Sequence, residues 1–114
     1  MAYKRDKINV AILKDVSEIL QFEVKDPDIN FVTITRVDVT RDYSYAKIYV
    51  SFIDKDNVEK QMKALDNAKG FIRTELAARL KMYKVPALIF VYDDSYEKSQ
   101  KIEKILADIH KNEK

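Results

Sequence analysis

Between Asp6 and Val24 the apolar residues Ile8, Ile12, Val16, Ile19 and Leu20 recur at spacings of four, four, three and one. That is the period of a helix with one buried stripe. Lys14, Asp15, Glu18 and Gln21 fall off the stripe, and Asp6 is the expected N-cap. Pro27 disfavours helical geometry at Asp26, so Lys25-Asp26-Pro27-Asp28 ends the helix. The period then changes to two. Phe31 to Thr40 is rich in Val, Ile and Thr and predicts a strand. Val32 and Ile34 share one parity and Val37 and Val39 the other, which requires burial on both faces or a bulge near Arg36. Arg41 to Ser44 is the hairpin connection. In Tyr45 to Ile53, Ala46, Ile48, Val50 and Phe52 alternate with Tyr45, Lys47, Tyr49 and Ser51, giving one core face and one wetter face.

Asp54 to Asn57 reads as a loop, with Asn57 as cap for a helix starting near Val58. The stretch Met62 to Leu80 is helix-forming throughout except for Gly70, the single glycine of the chain. Met62 and Leu65 fit one apolar face before it; Phe71, Ile72, Leu76 and Leu80 fit another after it. A glycine in a helix interior costs about 1 kcal/mol against alanine and reaches φ > 0 readily. The pattern therefore predicts a helix, a kink at Ala68-Lys69-Gly70, and a second helix whose free N–H groups and positive dipole end could hold a phosphate. Pro86 precedes Ala87 to Tyr92, an apolar run expected as a buried third strand. Asp93, Asp94 and Ser95 offer caps for a last helix, Asp94 and Glu97 resembling a capping box. Ile102, Ile105, Leu106 and Ile109 share one face of that helix, and Lys111 to Lys114 should fray.

Charge is distributed unevenly. From Lys60 to Lys84 there are seven basic residues (Lys60, Lys63, Lys69, Arg73, Arg79, Lys81 and Lys84) against Asp66 and Glu75, a balance of +5. The whole chain carries +2, so the remainder carries −3. Such a segment suits an anion-binding surface, or equally a solvated helix pair kept soluble by its lysines. At 114 residues, 46% apolar and 35% charged, the chain fits one globular domain with an ordinary core. It has no cysteine, so disulfides and thiolate metal sites are excluded, which fits a reducing compartment. MAYKRDKINV has no apolar signal core, and no apolar run approaches the roughly 20 residues of a membrane span, so a cytoplasmic protein is expected.

The sequence is poor in catalytic groups. His110 is the single histidine and lies near the fraying end, which argues for a solvated side chain and against zinc. One glycine is too few for a P-loop or dinucleotide fingerprint. The serines have no histidine base in a rigid region. Asp93-Asp94 could be an acid–base pair, but adjacent residues leaving a strand point apart and capping explains both. Tyr45, Lys47 and Tyr49 could stack bases; tyrosines also suit an exposed sheet face, and the strand lacks the glycines of RNP1. No cofactor and no metal are expected.

The strings EVKDPDI, VTITRVDVTRDYSYAKIYVSF, AKGFIRTELAARL and VPALIFVYDDSYEKSQKI, in that order and spacing, resemble the ribosome-binding factor A family from about Lys7 to Leu106. The resemblance implies an α+β fold: a type II KH-like domain ordered α-β-β-α-kink-α-β, its three-stranded sheet packed on helices. Residues 6–92 would form the core and 94–111 a C-terminal helix, all in a single domain. Ordinary KH domains clamp nucleotides with a GXXG loop; the family has an interhelical Ala-x-Gly kink instead, here Ala68-Lys69-Gly70. It further implies a monomeric, non-enzymatic assembly factor that binds the small (30S) ribosomal subunit and its 16S rRNA. Its implied work is late maturation, precursor processing and growth in the cold. Lys69 and Arg73 carry over as RNA contacts, while Lys63, Arg79, Lys81 and Lys84 follow from charge. Many members have a longer basic tail; here the segment from Asp93 has five basic and six acidic residues. Two other readings stand beside this one: a general single-stranded RNA-binding module, against which the missing GXXG loop argues, and a protein–protein adaptor using the last helix.

Overall fold

The computed structural model describes residues 2–29, 31–80 and 84–112. They form α1 (Ala2–Glu18), β1 (Val32–Val39), β2 (Tyr45–Phe52), α2 (Val58–Leu80), β3 (Ala87–Tyr92) and α3 (Ser95–Asn112). A π-turn, Ile19–Glu23, prolongs α1, and a 3-10 turn, Lys55–Asn57, leads into α2. The sheet order is β1-β2-β3, with β1 antiparallel and β3 parallel to the central β2. A parallel pair needs a crossover connection, and α2 supplies it.

One face of the sheet is the core. Ile12 and Val16 come down from α1 and Ile19 from its π-turn, Leu65, Ile72 and Leu76 from α2, and Ala46, Ile48 and Val50 rise from β2, all without solvent exposure. The alternation expected for β2 holds along its length. The two parities of β1 are reconciled by a bulge: Ile34 faces Val50 but Arg36 faces Tyr49, so Thr35 is the extra residue. Adding one residue flips the side-chain alternation, which turns Ile34, Val37 and Val39 all inward.

Several local expectations are corrected. α1 begins at Ala2, so Asp6 lies within the helix instead of capping it; the sequence before Asp6 has no glycine or proline to break a helix. Asn57 does not cap α2. Asn57 belongs to the 3-10 turn ahead of α2, and Asp54 caps that turn, accepting from the Asp56 N–H at 3.0 Å and from Asn57 Nδ2 at 2.8 Å. The buried Gln61 amide reinforces this turn by donating to the carbonyls of Asp54 and Asn57. β3 is only partly buried, because it is an edge strand. The capping box at α3 does not form either. Asp93 accepts from the Ser95 N–H and hydroxyl, while Glu97 accepts from the Tyr92 hydroxyl at 2.8 Å and pairs with Lys55 at 3.0 Å. Of the end expected to fray, Lys111 and Asn112 are helical, and Glu113 and Lys114 lie outside the described residues.

The largest correction concerns the kink. α2 is one uninterrupted helix, and Gly70 does not adopt positive φ. Gly70 is helical with open space where a Cβ would be. A penalty of about 1 kcal/mol is too small to break a helix that buries Leu65, Ile72 and Leu76 on both sides of it. The Thr74 hydroxyl donates back to the Gly70 carbonyl at 3.0 Å, a bond of the type that bends helices without ending them. No helix N-terminus is therefore available at Gly70 to bind an anion.

Candidate nucleic-acid interface

A shallow groove of about 290 Å³ lies where α2 passes the start of β3. Lys69, Gly70 and Arg73 line it from the helix, and Ala87, Leu88, Ile89 and Tyr45 from the sheet. Spacings of three and four put Lys69 and Gly70 on the same side of α2 as Arg73. Arg73 is fixed by its own hydrogen bond: Nη2 donates to the Val85 carbonyl at 2.7 Å. That bond ties α2 to the segment entering β3, and among the described residues no carboxylate pairs with the guanidinium. Lys69 Nζ pairs with Asp66 at 2.9 Å, but both side chains are well exposed. An exposed pair of this kind contributes about 0–1 kcal/mol, so a phosphate can displace the carboxylate.

The arrangement joins two side-chain cations, a stretch of helix backbone bare of side chain, and an apolar wall ending in a half-exposed tyrosine. Cations answer phosphates, the bare Gly70 permits close approach, and Tyr45 offers a stacking face. The charge comes from side chains and not from backbone N–H groups.

The other expected contacts are scattered. Ala68 is half-buried and packs against the core, outside the groove lining. Lys63 is exposed seven residues before Gly70, on the same side of α2 and roughly 10 Å along its axis. Lys84 is exposed and adjoins Val85, the acceptor of Arg73. Arg79 points to α1, meeting Glu18 at 2.7 Å, Glu23 at 3.9 Å and Asp15 at 4.0 Å. Lys81 lies outside the described residues.

Sequence reasoning named Tyr45 as a residue that could stack bases but did not place it beside Lys69, Gly70 and Arg73. Tyr45 stands opposite Ala87 in the parallel β2–β3 pair, a register that neither strand reveals alone. Its neighbours on the outer sheet face behave differently. Lys47 is exposed, while Tyr49 lies under the Arg36 guanidinium, 4.1 Å from its ring centroid.

Asp93 and Asp94 are occupied structurally. Hydrogen bonds from the Ser95 hydroxyl and from Thr35 Oγ1 hold the Asp93 carboxyl down at about 2, and Asp94 pairs with Lys98 at 3.4 Å. Among the described residues no cluster of His, Asp or Glu could hold a metal ion. No helix among them is long and apolar enough to cross a membrane.

The helix-backed β1-β2-β3 sheet with a crossover helix, and a cleft at β3 without a glycine loop, define a KH-like domain. The profile of ribosome-binding factor A matches residues 4–106. A ribosome-binding factor A from Staphylococcus carnosus is 41% identical over 111 residues, covering 96% of both chains. The chain belongs to the ribosome-binding factor A family, a family of non-enzymatic assembly factors. Solved structures agree on the fold. The crystal structure of the Thermus thermophilus factor superposes with a TM-score of 0.71 at 24% identity, covering 77% of this chain and 93% of that one. A Thermotoga maritima candidate ribosome binding factor A, solved by NMR, gives 0.68 at 33% identity, covering 80% and 88%. A homology model of the Thermus thermophilus factor, as fitted into a cryo-EM map of a 30S–RbfA complex, gives 0.60 at 21% identity, covering 83% and 97%.

Proposed function

We propose that this protein binds the small ribosomal subunit in the cytoplasm as a monomer, contacts its 16S rRNA, and assists late maturation and precursor processing, including during growth in the cold. The groove at Lys69, Gly70 and Arg73 carries the reading: two cations flank bare backbone beside a tyrosine, on a domain of this family. Lys63 and Lys84 extend the positive surface along α2 and toward β3. Ala68 acts as a spacer that keeps α2 close to the core, and Arg79 and Lys81 are the weakest contacts of the set.

Co-sedimentation with immature and mature small subunits tests this. Binding to immature subunits that survives excess bulk single-stranded RNA, and that falls for Lys69→Ala, supports it. Equal competition by bulk RNA would reassign the protein as a general RNA binder. Depletion should also lengthen the lifetime of 16S precursor, more so in the cold; normal processing on depletion would remove that part of the reading. The exposed face of α3 favours an adaptor role as a second reading. In that case Ile105→Lys, and not Lys69→Ala, would abolish subunit binding.

A further inference from the structure

The opposite end of the molecule has a larger groove, of about 540 Å³, running between the end of α1 and the outer strand β1. Ser17, Leu20, Gln21 and Val24 wall one side, Val32, Thr33 and Ile34 the other, and Ile29, Phe31 and Ile53 complete it. Two of these are unusually open for large apolar side chains: Phe31 is 69% and Ile53 73% exposed. Phe31 also has φ of 55°, a left-handed conformation that costs an aromatic residue free energy. An aromatic held out in a strained conformation, beside a wide groove of mixed polar and apolar lining, is a feature of interaction surfaces.

Two observations choose the occupant. The first is backbone. β1 is an edge strand, so alternate residues present N–H and C=O groups that no strand among the described residues pairs. Toward its other end the Asn9 side chain satisfies the Val39 N–H at 2.9 Å; no such bond covers Val32 to Ile34 among the described residues. A groove between a helix and a free strand edge is the geometry into which an extended peptide adds as a strand. The second is charge. No lining residue is a cation, and the wall-forming segment from Lys14 to Asp28 has five carboxylates against two lysines. Arg79 and Lys60 pair with Glu18 and Asp28, so the charge around the groove is acidic on balance. That balance favours a cationic ligand over a phosphate.

We infer that this groove binds an extended peptide segment of a protein partner. The segment pairs its backbone with β1 at Val32–Ile34, places alternate apolar side chains between β1 and Leu20 and Val24, and carries basic flanks. The site is separate from the groove at Gly70 and stands whether or not that groove binds rRNA.

The probe is a fluorescein-labelled peptide, Lys-Val-Thr-Val-Thr-Val-Lys, titrated by anisotropy against the full chain. The expected result is saturable binding, at least about tenfold weaker for Ile53→Lys, for Glu-flanked peptide and for peptide N-methylated on one edge. Amide chemical-shift changes should cluster at Val32–Ile34, and Lys69→Ala should bind the peptide like the parent. Ile53 is exposed, so its substitution leaves the fold intact, and circular dichroism verifies that. No saturation, equal binding by a scrambled or N-methylated peptide, or shift changes confined to α3 would overturn the inference. So would a uridine oligonucleotide that competes for the same amides.

Discussion

Arg73 donates from Nη2 to the carbonyl of Val85 at 2.7 Å, so one side chain both fastens α2 to the entry of β3 and carries the charge of the Gly70 groove. Lys69, one turn earlier, has no such second role; its partner Asp66 is three residues away on the same helix. The two cations are therefore separable. Arg73→Ala should lose about 1–2 kcal/mol of stability, because a charged donor leaves a part-buried carbonyl. Lys69→Ala should change stability by less than about 0.5 kcal/mol. Each should reduce the dependence of log K on log salt for rRNA binding by about 0.7–0.9, one phosphate's contribution. Urea melts and salt titrations measure both. Equal stability losses would mean that the Val85 bond is not maintained in solution.

Gly70 gives a prediction with opposite signs. Its backbone is helical and an added Cβ meets nothing within 4 Å, so Gly70→Ala should stabilise the protein by about 1 kcal/mol, roughly 4 °C in melting temperature. If the bare backbone serves close approach of RNA, the same variant should bind immature subunits more weakly. A variant that is more stable and binds normally would leave Gly70 without a role at the interface.

The sequence was most legible where one side-chain period ran unopposed. Ile12, Val16 and Ile19 on α1, and the alternation Ala46-Ile48-Val50 on β2, reappear as the buried set, and the parity change in β1 appears as the bulge at Thr35. It was least legible at Gly70, where a local propensity suggested a break and the burial of Leu65, Ile72 and Leu76 kept the helix whole. Caps misled for a related reason: several carboxylates stand near the starts of α2 and α3, and contacts beyond the first turn decide among them. Glu97 went to Tyr92 and Lys55 instead of the first turn of α3. At the candidate site, Lys69 and Arg73 were singled out by the family resemblance, within a segment whose basic charge is legible locally. Tyr45 and the separation of Arg79 from the groove depend on contacts distant in sequence.

Arg79 should prove structural. It meets three carboxylates of the α1 end, with its side chain about a third exposed. Arg79→Ala should cost about 1 kcal/mol at low salt and less in 1 M salt, where screening already weakens the cluster. Glu18→Gln should show most of its coupling in a double-mutant cycle with Arg79. Subunit binding should stay within about twofold of the parent. A large binding loss without a stability loss would move Arg79 into the RNA interface.

The start of α3 should respond to acid. The Thr35 hydroxyl at the β1 bulge donates to Asp93 at 2.5 Å, so a residue of the far edge strand holds the junction between β3 and α3. Bonds from Ser95 and Thr35 lower the Asp93 carboxyl from 3.8 to about 2. A depressed carboxylate favours the folded state when ionised. Its contribution is complete above the unfolded value near 4 and disappears as pH falls through the folded value near 2. Amide exchange at Ser95 and the residues after it should therefore accelerate between pH 4 and pH 2, ahead of exchange in β2. Asp93→Asn should show the faster exchange already at pH 7 and lose the pH dependence in that window. Thr35→Val should narrow the window by raising the Asp93 value toward 3.8. Exchange at Ser95 that follows β2 at every pH would mean that the junction melts only with the whole domain, and that the bond from the bulge does not govern the helix.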